Sequence, residues 1–110
     1  MLTLYRAMND EEANQTLKTK HLHYKTLYKH FTPSLYFIRY RVCNPKIYGN
    51  QHDNKRHHRI LRFDLDEVSA RFFTTNYDEW HLHAKKAHRV KILNIKEVNN
   101  EGNTDNRCKG

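Results

Sequence analysis

Histidine occurs nine times in this sequence. His81 and His83, in WHLH, stand two residues apart, which on a strand sends both to one face, and His88 follows nearby. Two imidazoles so spaced, with a third in reach, resemble part of a zinc set. Nine His in a basic chain also fall together by chance. Neither a Cys nor a well-spaced carboxylate completes the group, so the reading is no metal, and HLH at His21 and His23 is discounted in the same way. A second pattern interleaves bases with aromatics: Tyr36, Phe37, Arg39, Tyr40 and Arg41 would suit phosphates and stacked bases, although a short chain needs most of its tyrosines for a core. A third candidate set is dispersed: Arg6 in LYR, Thr32 and Ser34 in HFTPS, and Glu79 at the head of EWHLH. Nothing in the residues alone unites these positions.

The elements that would position them must come from one small domain. At 110 residues the chain can bury one core and not two. Mean hydropathy is low, at −1.02, and thirteen aromatics (seven Tyr, five Phe, one Trp) must supply much of the buried area. A net charge of +8 favours an anionic partner, whether nucleic acid, a phosphorylated cofactor or an acidic protein surface. The densest basic run is Lys55, Arg56, His57, His58, Arg59 and Arg62, which equally describes a solvated loop leading into a strand. The two Cys, Cys43 and Cys108, are too far apart for a disulfide framework or a zinc knuckle, and point to a reducing compartment. The opening MLTLYRAMNDEE has no basic stretch followed by a long apolar one, so no signal peptide is expected, and no run reaches the length of a membrane span.

Residues 3–8 alternate as a strand. Asn9 offers a helix cap with Glu12 three residues on, predicting a helix over 10–20 with Ala13 and Leu17 inward. The segment 21–30 is ambiguous. KHFTPSLYFIRYRVC (29–43) fits either a strand or a helix on composition, with Pro33 at the junction. A polar loop over 44–58 precedes the clearest strand, 58–66, where Leu61, Phe63 and Leu65 alternate with Arg62 and Asp64. Asp64 or Asp66 then caps a short helix, 79–83 is a brief strand, 88–98 is the last strand, and 99–110 is a polar tail. Helices and strands mix without a βαβ repeat, so the class is α+β. With Gly49, Gly102 and Gly110 the only glycines, P-loop and dinucleotide-fold readings fall away.

Taken in order, LYRAMNDEEA, KHFTPSLYFIRYRV, ILRFDLD and YDEWHLHAKKAHRVKILNIKEV resemble a very short bacterial or phage toxin of the ADP-ribosyltransferase superfamily. The resemblance covers residues 2–98 and rests on the order of short, degenerate motifs. It implies a single domain over 1–98 built on a small split, mainly antiparallel sheet with flanking helices. It further implies NAD as cofactor and transfer of ADP-ribose to a protein or nucleic-acid acceptor. Arg6 would anchor the NAD phosphates or ribose, Thr32 would sit beside the nicotinamide ribose, and Ser34 would hold the turn or cap the helix. Glu79 would be the catalytic carboxylate, with Tyr36 or Trp80 walling the nicotinamide. The middle stretch would then be a strand to Phe31 and Thr32, a turn at Pro33, and a helix capped by Ser34 with Leu35, Ile38 and Val42 inward.

The same resemblance implies a cytoplasmic protein, of the producing or the target cell, with an acidic partner such as an antitoxin and no membrane. Tyr77 stands two residues before Glu79, where many members have Glu or Gln, and Thr-Pro-Ser replaces a Ser-Thr-Ser step, so the acceptor class does not carry over. The alternatives are a small basic nucleic-acid-binding module without catalysis and a non-catalytic inhibitor protein.

Overall fold

The computed structural model describes residues 1–44 and 57–98. Most of the predicted polar loop, with Lys55 and Arg56, and the whole predicted tail lie outside the described residues. Strand β1 (Leu2–Met8) runs into α1 (Asp10–Thr19), then β2 (Tyr28–Phe31) and α2 (Leu35–Cys43). The second half is β3 (Arg59–Leu65), a 3-10 helix η1 (Glu67–Phe72), β4 (Thr74–Asn76), β5 (Glu79–His83), a second 3-10 helix η2 (Ala84–Arg89) and β6 (Ile92–Glu97). The result is a compact α+β arrangement of two antiparallel three-stranded sheets, ordered β1-β3-β6 and β2-β5-β4.

Local chemistry accounts for most of the element boundaries. The Asn9 side chain accepts from the Glu12 N–H at the head of α1, satisfying one of the orphan donors of its first turn. Ala13 is fully buried and Leu17 packs against the same core, so the expected inner face of this helix holds. The helix ends one residue before the expected Lys20, which adopts a left-handed conformation (φ 62°) and donates its N–H to the Thr16 carbonyl.

Between residues 28 and 43 the chain is strand and then helix. Pro33 follows β2, and Ser34 accepts from the Phe37 N–H at 3.0 Å to cap α2. Ile38 and Val42 are buried and Leu35 packs beside them, as that pattern requires.

The first sheet is covered on both faces. Leu61, Phe63 and Leu65 of β3 enter the larger core with Leu4 and Met8 of β1, Ala13, Ile95 of β6, and Phe31, Phe73, Leu82 and Val90. Ile60, on the other face, packs with Ile38 and Val42 of α2, flanked by Tyr5 and Ala7. Two-sided coverage also buries Asp64, which alternates with the apolar residues of this strand. Its carboxylate accepts from Thr3 Oγ1 and Arg62 Nε, both at 2.9 Å. Burial pushes this carboxyl up, but those donors outweigh it and hold Asp64 below its ordinary value.

Of the remaining boundaries, two differ from the sequence expectation and one open alternative is decided. The last strand begins at Ile92 because Ala84–Arg89 forms η2. Asp66 and not Asp64 caps η1, accepting from the Val68 N–H. The short strand β4 was not anticipated; it pairs Thr74 with His81 and Asn76 with Glu79. Among the described residues no helix is long and apolar enough to cross a membrane.

Candidate functional site

The two sheets are stitched at one corner. Tyr5 of β1 and Thr32, just beyond β2, exchange backbone hydrogen bonds, Tyr5 N–H to Thr32 O at 2.7 Å and Thr32 N–H to Tyr5 O at 2.9 Å. Arg6 follows Tyr5 directly. In the antiparallel register of β2 and β5, His30 faces His81 and Phe31 faces Trp80, the last pair of the ladder, so Thr32 and Glu79 each lie one residue beyond it. The backbone thus sets Arg6 beside Thr32 at the bridge, at the end of the ladder where Glu79 heads β5.

Their side chains are differently employed. Arg6 lies between the buried Leu4 and Met8 on β1, its guanidinium over the Phe31 ring. Its Nε and Nη2 donate to the two Glu12 oxygens at 2.8 and 3.0 Å, and Nη1 donates to the His30 carbonyl at 3.2 Å. Glu12 also accepts from Lys29 Nζ at 2.9 Å, so one carboxylate serves two cations. Lys29 is only 4% exposed and stands over the Tyr24 ring, whose hydroxyl donates to the Leu82 carbonyl.

The charges of this cluster respond to burial and to one another. Burial pushes Glu12 up, yet Arg6 and then Lys29 outweigh it and hold the carboxyl below its ordinary value. Lys29 is lowered, first by burial and then by Arg6, more than Glu12 restores. The two directions agree once the sharing is noted: two cations compete for one anion. Burial likewise raises the Tyr24 phenol far above its usual range. The cluster ties β1, α1 and β2 together and fixes the orientation of Arg6.

Thr32 is buried, and its Oγ1 accepts from the Ser34 N–H at 3.1 Å, so both hydroxyls of the Thr-Pro-Ser step serve the turn and the helix cap. Glu79 is exposed at the head of β5. Trp80 points to the opposite face of β5 and packs against the larger core beside Phe73, with ring centroids 5.7 Å apart. Tyr36 is 82% exposed on the first turn of α2. Neither aromatic shares the outer face of β5 with Glu79.

Three histidines, absent from the sequence-derived site, share that face. Tyr28, His30 and Thr32 alternate along β2, as do Glu79, His81 and His83 along β5. The His30 and His81 rings stand 4.2 Å apart, and the Tyr28 and His83 rings meet edge-on at 4.8 Å. His81 Nε2 is buried without a hydrogen-bond partner among the described residues. Burial first, then His81, Arg6 and Arg41, lowers His30 below the ordinary imidazole value, while Glu79 pulls it the other way. Arg6 and Glu79 therefore both act on one imidazole. The spacing of two between His30 and Thr32, and again between Glu79 and His81, was a readable signal of a shared face.

Among the described residues no group of three or more His, Cys, Asp or Glu is arranged to hold a metal ion. Comparison with protein-family models gives no match, and comparisons with curated proteins and with solved structures give none either.

Proposed function

We propose that the chain transfers ADP-ribose from NAD to a macromolecular acceptor, and that the corner where the two sheets meet is the active site. The observation that carries this is the Tyr5–Thr32 bridge, which sets Arg6 beside Thr32 at the end of the β2–β5 ladder where Glu79 heads β5. A reading as an ADP-ribosyltransferase needs these three positions near one another, and the arrangement supports it.

Chemically the reading asks little of each group. A guanidinium carries five N–H donors. Glu12 and the His30 carbonyl engage three of the donors of Arg6, so two remain for the pyrophosphate of NAD, and the clamp fixes their direction in advance. Thr32 supports the ribose end through its turn. In the transfer step the bond from ribose C1′ to the nicotinamide nitrogen breaks, and its electron pair leaves with nicotinamide. Positive charge then develops on the ribose, where the Glu79 carboxylate opposes it. A lone pair of the acceptor forms the new bond to C1′, and its proton passes to water.

Incubation with radiolabelled NAD and cell lysate, with Glu79→Gln as control, tests the reading. Labelling of a protein or nucleic-acid band by the native chain and not by the variant is expected, together with an NAD-dependent rise in melting temperature. Equal labelling in both proteins, or neither labelling nor a thermal shift, overturns it.

A further inference from the structure

Five cations of this fold are matched to carboxylates. Arg6 and Lys29 share Glu12, Lys25 meets Glu11, Arg59 meets Glu97 and Asp10, and Arg62 meets Asp64. Helix η2 gathers cations that are not. Its six residues, AKKAHR, carry Lys85, Lys86, His88 and Arg89 with no acidic residue, and all four side chains are exposed. No carboxylate among the described residues forms an ion pair with any of them.

The 3-10 geometry sorts these side chains. With three residues per turn, positions i and i+3 eclipse. Ala84 stands over Ala87, Lys85 over His88, and Lys86 over Arg89. Ala87 packs against the core, so the alanine column faces inward and the two basic columns face water. Residues in one column are about 6 Å apart, comparable with the step between phosphates of an extended strand.

An aromatic platform adjoins the head of the helix. His83 caps η2 by accepting from the Lys85 N–H at Nδ1, and its ring meets the half-exposed ring of Tyr28. The Ala84 N–H donates to the Leu27 carbonyl, which fixes the helix beside this segment.

We propose that η2 and Tyr28 form a docking strip for single-stranded nucleic acid. Lys85, Lys86 and Arg89 would meet successive phosphates while a base stacks on Tyr28. Backbone charge contacts with a sequence-tolerant aromatic are the recurrent means of holding a single strand. An anionic membrane fits less well, because η2 offers no large apolar side chain to insert. The strip lies at the opposite end of β5 from Glu79 and does not depend on NAD chemistry.

Fluorescence anisotropy with a labelled thymidine oligonucleotide of about 16 nucleotides, over a salt series, tests this on the full chain. The Lys85→Ala/Lys86→Ala double variant should lose affinity and flatten the dependence of log K on log salt by about 1.4, near 0.7 per phosphate contact. Arg89→Ala should flatten it by about half as much. Tyr28→Ala should weaken binding roughly 5- to 100-fold with the slope retained. Lys18→Ala, an exposed cation on α1, should match the native chain, and NAD-induced thermal shifts should be unaltered by the strip variants. Unchanged binding by the double variant overturns the proposal, as does equal loss in Lys18→Ala. Tighter binding to duplex, or to phosphatidylserine vesicles, than to the single strand also overturns it.

Discussion

The two sheets are alike in size and direction but unlike in what surrounds them. In β1-β3-β6 the central strand is buried on both faces, by the larger core on one side and α2 on the other. In β2-β5-β4 only the inner face, with Phe31, Trp80 and Leu82, meets the core. The outer face carries the exposed Tyr28, His30 and Glu79 and the half-buried His81 and His83. Stability is therefore concentrated in the first sheet, and chemically useful groups are displayed on the open face of the second. The corner between them, where Arg6 is clamped, belongs to both.

If that division holds, the greatest loss of stability should come from the first sheet. Phe63 is fully buried at its centre, with Phe31 edge-on at 5.4 Å. Truncation by Phe63→Ala removes transfer energy and opens a cavity, for a loss of about 3–5 kcal/mol. Chemical denaturation with the native chain as reference measures it. A loss under about 1 kcal/mol would show that the core collapses around the gap and that the first sheet is not the keystone.

Next in size is the clamp at the corner. Glu12→Gln leaves Lys29 and Arg6 without their shared carboxylate in a largely buried site, which should cost about 3 kcal/mol. The pH dependence follows from the same group. Glu12 and Asp64 have folded values below their ordinary ones, so their contribution is complete above the ordinary carboxylate range and is lost as pH falls through the lowered values. Stability of the native chain should fall steeply below about pH 4, and that of Glu12→Gln less steeply. Parallel acid-denaturation curves for the two proteins would remove the clamp from the comparison.

These residues also mark where the sequence was legible. Boundaries written in adjacent residues were readable: Asn9 with Glu12 for α1, and Pro33 with Ser34 for the change from strand to helix. The sheets' split, antiparallel character was implied by motif order, whereas which face is covered depends on elements far away in sequence. Alternation therefore did not show that Asp64 is buried, with Thr3, sixty-one residues away, as a partner. Lys29 was equally opaque, because nothing near it announces that Glu12 will meet it. The strand β4 is three polar residues with no periodicity to find, closed by Tyr77 at φ 53°, a conformation turns usually assign to Gly, Asn or Asp. Of the dispersed candidates, Arg6 adjoins Thr32 through the Tyr5–Thr32 bridge and Glu79 heads β5 one residue beyond the last β2–β5 pair, while Trp80 turns inward and Tyr36 stays on the surface of α2.

A smaller effect tests the covering layer itself. Ser34→Ala removes the acceptor for the Phe37 N–H and should cost about 1 kcal/mol, since α2 shields the second face of the first sheet. Hydrogen exchange should show the loss as faster exchange in α2 and in β1 and β3 beneath it, with β5 and β4 little changed. Uniform acceleration through both sheets would mean that they unfold as one unit, and the contrast between them would be one of exposure alone.

The smallest effect on folding should come from the residue with the largest proposed effect on chemistry. Glu79 is exposed and its carboxylate forms no hydrogen bond or ion pair among the described residues, so Glu79→Gln removes a charge without stranding a partner. Its melting curve should match the native one to within about 0.5 kcal/mol. The nearby imidazole reports on the same change: with the carboxylate gone, the one neighbour that raises His30 is removed, and its titration should move further down. Following the His30 Cε1 proton resonance against pH measures that displacement in the folded chain. A downward displacement at unchanged stability would make loss of ADP-ribose transfer attributable to the site. An unmoved resonance would separate Glu79 from the corner and leave the open face of the second sheet without its carboxylate.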